Sequence, residues 1–218
     1  MKEERDVLNR DKYVMPGPDE VKCIAPGQTL ILVLGSCIST VFIGRSRGYF
    51  LAANHIIIAK ELQRGVIAKR SARHQIDEIL AIFRDELDIA GKDLRCLHLV
   101  GAGRKVSGES FRVHRDNIEE TRAVLSSGDI DIMFEDIMSY YTASYSLSGE
   151  QLSVFIEDKL ADIHLSYIID LERLFAFDPK QSENMPASAL KPHNHGFEEL
   201  VDKGVIVFIT GEKNRPDV

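Results

Sequence analysis

Three runs of β-favouring residues follow one another with only short turns between them, and this succession constrains the fold more than any other feature. Thr29–Leu34 is apolar throughout and predicts a strand covered on both faces. After a turn at 35–37, residues 38–43 resume the pattern, and residues 49–58 form the third run. Because these strands connect without an intervening helix, the sequence favours an α+β fold over a doubly wound sheet.

Longer patterns add helices to these strands. Apolar residues at helical spacing between Ser71, a capping residue, and Gly91 predict one helix, and a capping box at Asp116 and Glu119 predicts a second helix. The remaining segments predict short strands over 20–25, 94–100, 130–134 and 205–210, a hairpin around 148–150, a third helix with an apolar stripe from Leu160 to Leu174, and a long loop over 178–196. The predicted fold class is α+β, a layered sandwich of mostly antiparallel or mixed sheet with helices packed outside.

The composition fits one domain and excludes several classes of protein. The 218 residues carry a formal net charge of -7 and contain no long cluster of Lys and Arg, so we expect no nucleic-acid partner. The apolar stretches are shorter than a membrane span, and the opening MKEERD is too charged for a signal peptide. We therefore expect no membrane insertion and a cytoplasmic location.

A cysteine and a histidine in successive β-favouring runs indicate a nucleophilic site. Cys37 follows Gly35 and Ser36, which suit a tight turn whose backbone N–H groups point at a developing oxyanion. His55 lies beside Asn54 in a later run, where it could meet Cys37 and act as the base that activates the thiol. This pairing predicts a cysteine hydrolase that acts on an amide or ester carbonyl.

The other thiols carry a weaker signal. The cysteines are odd in number and widely spaced, which predicts free thiols, and Cys23 and Cys96 are interpreted as core or surface residues. An alternative groups Cys96 and His98, taken to share one strand face, with Cys37 and His55 as zinc ligands. Their spacing matches none of the usual zinc patterns, and no cofactor motif is present. We therefore expect neither a metal nor a cofactor.

Several of these residues also carry a resemblance to a known family. The main matches are Leu34-Gly35-Ser36-Cys37, Asn54-His55 and Pro26-Gly27, and weaker matches are Gly101-Ala102-Gly103, Asn117, Glu135-Asp136 and the hairpin with Gly149. These motifs resemble the chemoreceptor glutamine deamidases of bacterial chemotaxis, the CheD family, over about residues 18–157. With the charged start, the resemblance divides the chain into a flexible N-terminal arm (1–18), a CheD-like deamidase domain (19–157) and a C-terminal extension (158–218) packed on that domain.

The resemblance implies a protein-glutamine deamidase that takes part in chemotaxis signalling. Cys37 would attack a glutamine carboxamide on the cytoplasmic helices of a chemoreceptor, with His55 as base and acid. Backbone N–H groups around Ser36 and Cys37 would hold the oxyanion, and a CheC-like phosphatase would be a further partner. Each converted glutamine would add a negative charge to the receptor, as other charge-changing modifications do.

One position departs from the family pattern. The family has a threonine six residues before its cysteine that is thought to orient the histidine, and this chain has Ile31 there. Thr29 lies on the same strand face, about 6.5 Å away by strand rise, which is too far to replace that threonine without a register shift. Asn54 and Thr29 are the candidate supporting residues. The activity is therefore in question, and two alternatives stay open: a CheD-like binding or adaptor module with weak chemistry, and an unrelated cysteine hydrolase.

Overall fold

Two β-sheets stack face to face in the computed structural model, and the smaller sheet carries helices on its other face. The structure describes residues 11–35, 37–57, 71–102, 113–138, 141–158, 163–177 and 195–210. The layers are therefore helices, a five-stranded sheet and a six-stranded sheet. The predicted α+β layered sandwich is confirmed.

The elements lie mostly where the sequence predicted them. The strands are β1 (Tyr13–Val14), β2 (Val21–Ile24), β3 (Thr29–Leu34), β4 (Ile38–Arg45), β5 (Tyr49–Asn54), β6 (Leu94–Ala102), β7 (Ile132–Met138), β8 (Tyr141–Ser148), β9 (Gln151–Asp158), β10 (Ile163–Asp170) and β11 (Ile206–Thr210). The helices are α1 (Ala72–Ala81), continued by a π-helical segment (Ile82–Glu86), α2 (Val113–Ser127), α3 (Leu171–Ala176) and α4 (His195–Asp202), with a 3₁₀ turn at Gly91–Asp93. Within the described ranges, no helix is long and apolar enough to cross a bilayer.

The first strands of the chain lie at one edge of each sheet. The larger sheet follows the order β1-β3-β8-β9-β10-β11, and the smaller sheet follows β2-β5-β4-β6-β7. The pairs β1–β3 and β6–β7 are parallel, whereas the other pairs are antiparallel. The chain passes from the larger to the smaller sheet between β1 and β2 and again between β3 and β4. These crossovers leave from neighbouring strands and arrive on either side of β5.

β4 is buried on both of its faces. Val41 and Ile43 belong to the core between the sheets, whereas Ile38 and Phe42 belong to the core between the smaller sheet and the helices α1 and α2. Full burial of an aliphatic or aromatic side chain contributes about 1.5–3 kcal/mol relative to exposure. Because the side chains of β4 divide between these two cores, all three layers meet on this strand.

β3 is covered on one face only, which corrects the expectation of a strand buried on both faces. Leu30, Leu32 and Leu34 are buried between the sheets, whereas Val33 is 40% exposed on the outer face of the larger sheet. Phe155 of β9 is 43% exposed on the same face. The outward residues of β3 are as β-favouring as the inward ones, so composition alone could not show which face is covered.

The predicted third helix is wrong for most of its length. Residues 163–170 form β10, which pairs continuously with β9, and only the six residues of α3 after them are helical. Leu165, Tyr167 and Ile169 are buried at alternate positions, which is the spacing of a strand. The apolar stripe imitated a helix because it runs from this strand into the helix that follows.

Strands near the start and near the end of the described residues both belong to the larger sheet. Of the arm predicted over 1–18, the described part includes β1, which pairs with β3. β10 and β11, from the predicted extension, continue the same sheet at its other side. α4 begins inside the loop predicted over 178–196, and residues 178–194 lie outside the described residues.

Local signals set several ends of elements. Ser71 caps α1, because its side chain accepts a hydrogen bond of 3.3 Å from the His74 N–H. Gly149 has a φ of +56° in the turn between β8 and β9, a conformation that favours glycine. The predicted cap and hairpin are therefore confirmed. α2 begins at Val113, so Asp116 lies in its first turn rather than at its cap.

A substitution at Gly44 of β4 tests how tightly the helix layer packs on this strand. A Cβ at this position would lie 2.6 Å from Cε1 of Phe83 and 3.0 Å from Cγ2 of Ile89, and both side chains are buried. We expect Gly44→Ala to lower the free energy of unfolding by about 1–3 kcal/mol, since overpacking displaces these side chains. Urea denaturation measures the difference. Gly48→Ala is the matched control, because nothing lies within 4 Å of the Cβ it adds; equal stability of the two variants would contradict the packing described.

Candidate active site

The two crossovers from the larger sheet meet at the end of β5. One leads from β1 through residues 15–20 to β2, and the other leads from β3 past Gly35 and Cys37 to β4. β2 and β4 flank β5 and run antiparallel to it, so both crossovers enter the smaller sheet beside His55. The first crossover brings Pro16 to this point, and the second brings Cys37.

The register of β4 and β5 places Cys37 and His55 on the same face of the smaller sheet. The pairing continues in one register to Ile38 and Ile56, which exchange backbone hydrogen bonds of 3.0 and 2.8 Å. Cys37 is therefore a diagonal neighbour of His55, and such neighbours typically have Cα atoms about 7–8 Å apart. That separation is within reach of an imidazole ring.

Both side chains are half-buried at one end of the space between the sheets. Cys37 packs against the core between the sheets. By the alternation of β5, His55 shares the face of Leu51 and Ala53, which belong to the same core. The thiol is thus not sealed in the core, which suits a nucleophile that must meet a substrate from outside.

Hydrogen bonds fix His55 at its ring and at its backbone. Nδ1 lies 3.2 Å from the Pro16 carbonyl oxygen. The His55 N–H donates to the Glu20 carbonyl oxygen (3.0 Å), and the His55 carbonyl accepts from the Asp19 N–H (2.8 Å). The hydrogen bonds of the described residues include none between this ring and the Cys37 thiol. Catalytic contacts of this kind commonly tighten only in the substrate complex.

The Asn54 side chain supports the site by a hydrogen bond to the backbone of β4. It is fully buried, and its Oδ1 accepts a hydrogen bond of 2.8 Å from the Thr40 N–H, which joins β4 to β5 next to His55. The alternation of β5 turns Asn54 toward the helices, away from the face of the thiol. Gly35 lies in the bend before Cys37, and Ser36, the other predicted turn residue, lies outside the described residues.

Thr29 and Ile31 lie away from His55. Both are on the outer face of β3, where the Thr29 hydroxyl is 2.9 Å from the Ser146 hydroxyl and Ile31 pairs with Ser144. The buried leucines of β3 lie on its opposite face and separate these residues from the smaller sheet. The prediction that Thr29 supports the site is therefore corrected: the alternation of the strand points it away.

Two further polar residues border the site. Ser39 lies opposite His55 in the register and is fully buried, and its hydroxyl has no hydrogen-bond partner among the described residues. Asn117 of α2, a weak family match in the sequence, donates from Nδ2 to the Ile57 carbonyl oxygen at 2.7 Å. Sequence reasoning missed Ser39, although its position two residues after Cys37 in a strand indicates the same face.

A bulge in β6 excludes the alternative zinc site. The pairing of β6 with β4 shifts at Leu97, so that Cys96 joins the core beneath the helices. His98 points to the other side, where its Nδ1 is 2.8 Å from the Tyr145 hydroxyl of the larger sheet. The zinc interpretation is wrong because the bulge puts Cys96 and His98 on opposite faces. No cluster of three or more His, Cys, Asp or Glu side chains suited to a metal occurs in the part of the chain that the structure describes.

Comparison of the sequence with protein-family models finds no match, and comparison with curated protein sequences finds none either. The chemistry of the site is therefore inferred from Cys37, His55 and their surroundings. A half-buried thiol on the same sheet face as an anchored imidazole is the arrangement expected of a cysteine nucleophile and its base.

Alkylation by iodoacetamide at neutral pH distinguishes the thiols. Burial raises the pKa of Cys23 to about 12 and raises that of Cys96 further, so both stay protonated and unreactive at neutral pH. We expect Cys37 to be alkylated at least about tenfold faster than either, because this half-buried thiol is more accessible to the reagent than the two buried thiols. Peptide mass spectrometry measures each rate, with labelling in urea as the control. Equal rates for Cys23 and Cys37 in the folded protein would contradict the burial described.

Proposed function

We propose that this protein is a cysteine-dependent amidohydrolase that converts glutamine side chains of a protein substrate to glutamate and releases ammonia. The observation that carries the proposal is the placement of Cys37 and His55, both half-buried, on one sheet face at the meeting point of two crossovers. The resemblance of the motifs around these residues to the CheD family supports the same chemistry.

The proposed reaction has two stages. The Cys37 sulfur attacks the carboxamide carbon while His55 takes the thiol proton, and backbone N–H groups around Cys37 hold the oxyanion. The C–N bond then breaks, and His55 returns the proton to the departing nitrogen, which leaves as ammonia. Water attacks the thioester carbon with His55 again taking a proton, and the C–S bond breaks to release glutamate and restore the thiol.

The position of the thiol favours a side chain carried by a large partner. Cys37 is half-buried and packs against the core between the sheets, which suits a glutamine carboxamide that reaches it on a short flexible stem while the backbone of the partner stays outside. The family resemblance supports chemoreceptor cytoplasmic helices as the substrate, a CheC-like phosphatase as a further partner and the cytoplasm as the location. Each conversion would replace a neutral group on the receptor by a carboxylate.

A second candidate function is a CheD-like adaptor module that binds the same partners with little chemistry. One observation favours it: the hydrogen bond that the described residues give the His55 ring goes to the Pro16 carbonyl oxygen and not to the Cys37 thiol. The adaptor would use the same sheet end as a docking surface. The two functions differ only in whether the substrate is altered.

Mass spectrometry of receptor fragments tests the proposal. The full chain is incubated with chemoreceptor cytoplasmic fragments from the organism that encodes it, and the peptides are searched for the one-dalton gain of glutamine to glutamate. We expect conversion by the wild type and none by Cys37→Ala, because the thioester cannot form. His55→Gln should lose at least about a hundredfold in rate, since the base is removed.

Two matched controls complete this experiment. Thr29→Val replaces a hydroxyl on the outer face of β3 by a group of similar shape and should retain the wild-type rate, because Thr29 pairs with Ser146 outside the site. Cys23→Ala removes a buried thiol that takes no part in the reaction. Binding of the fragments without any mass gain would contradict the deamidase function and support the adaptor function. Conversion that persists in Cys37→Ala would contradict the proposed nucleophile.

A further inference from the structure

The hydrogen bond between His55 and Pro16 determines which ring nitrogen is the base. Nδ1 lies 3.2 Å from the Pro16 carbonyl oxygen. A carbonyl oxygen accepts hydrogen bonds and has no proton to donate, so Nδ1 must carry the hydrogen. In the neutral imidazole the other nitrogen, Nε2, then keeps its lone pair and can accept a proton.

We infer that the main-chain carbonyl of Pro16 is the positioning group of this site. It holds the His55 ring in the tautomer and orientation in which Nε2 serves as the base for Cys37. The family resemblance leads one to expect a threonine hydroxyl in this role at position 31, but Ile31 lies on the outer face of β3, away from His55. The inference rests on the proposed function, because an orienting group matters to the chemistry only if His55 is the base.

The segment from Pro16 to Glu20 is built to hold this carbonyl in place. Its proline ring fixes φ at residue 16, and Pro18 restricts the backbone of Gly17 before it. The Gly17 N–H donates to the Glu20 carboxylate at 3.0 Å, and the Glu20 N–H donates to the Gly17 carbonyl at 3.0 Å. The hydrogen bond from Gly17, with help from Lys22, holds the pKa of Glu20 below its ordinary value, so the carboxylate is charged at neutral pH.

Both ends of this crossover are anchored to the sheets. On the larger sheet, the Thr29 N–H donates to the Lys12 carbonyl at 2.8 Å, and the Gln28 side chain donates to the Asp11 carbonyl at 2.8 Å. On the smaller sheet, the Asp19 N–H bonds to the His55 carbonyl, and the Asp19 carboxylate accepts a hydrogen bond of 3.3 Å from Gln75 of α1. The position of the Pro16 carbonyl is therefore set by both sheets together.

The strand order places Pro16 and Cys37 on opposite sides of His55. β5 lies between β2 and β4, so the crossover that carries Pro16 arrives on one side of His55 and the crossover that carries Cys37 arrives on the other. With Nδ1 bonded to Pro16, Nε2 is the ring nitrogen away from that carbonyl. The strand on the other side of β5 is β4, which begins directly after Cys37 and includes Ser39. A main-chain carbonyl thereby orients the base without adding a charge beside it.

Nitrogen-15 NMR of the full-length protein tests the inference without any substrate. Long-range proton–nitrogen spectra distinguish a protonated from an unprotonated ring nitrogen in neutral histidine, and His55→Gln assigns the signals by their loss. We expect His55 to be in the Nδ1–H tautomer. An Nε2–H tautomer, or an equal mixture of the two, would overturn the inference even if glutamine conversion is observed.

A pair of proline variants tests the contribution of the crossover. Pro16→Gly keeps the carbonyl but frees φ at that residue, so the Nδ1–H tautomer of His55 and the alkylation rate of Cys37 should both fall, the rate by about threefold. Pro26→Gly makes the same chemical change in the turn between β2 and β3 and should leave both readouts at the wild-type value. A tautomer population in Pro16→Gly equal to that in Pro26→Gly would overturn the inference. If His55 is in the Nδ1–H tautomer but no glutamine is converted, the proposed reaction is contradicted, whereas the orientation of His55 by the Pro16 carbonyl is supported.

Discussion

The burial of β4 on both faces is the constraint on which the rest of the structure depends. One face meets the larger sheet and the other meets the helices, so a shift of this strand would expose both cores at once. The register at Ile38 is fixed as a result, and Cys37 is held at the boundary where the strand begins. A residue at such a boundary can be positioned by the core and still reach solvent.

His55 lies just beyond the last residue of β5 and is held by the first crossover. Its backbone bonds to residues 19 and 20 and its ring bonds to Pro16, so the first crossover holds it from one side. Asn54 holds the strand to β4 through the Thr40 N–H. The candidate site is thus positioned by main-chain geometry at the ends of strands.

The sequence predicted what depends on local patterns. The β-favouring runs, the Ser71 cap and the turn at Gly149 are present because propensity and turn chemistry decide them within a few residues. The third helix failed where a strand runs into a helix, and the bulge at Leu97 could not be foreseen because it exists only in the pairing of β6 with β4.

The site could be predicted only in part for the same reason. Cys37 and His55 carry recognisable chemistry in neighbouring runs, so their meeting was a natural expectation. Pro16 acts through a carbonyl that every residue possesses. The hydroxyl of the candidate support Thr29 is visible in a sequence, whereas the face on which its strand places it is not. The partner of the histidine ring depends on a crossover between two sheets, which no local pattern reveals.

The most direct test of the central claim is whether a change at Cys37 is felt by the imidazole of His55. Histidine ring signals are recorded by NMR before and after Cys37 is alkylated, with His74 and His164 on other elements as internal references. The account predicts that the signals of His55 shift while those of the reference histidines stay in place. Unchanged His55 signals, with complete alkylation shown by mass spectrometry, would contradict the placement of the two residues side by side.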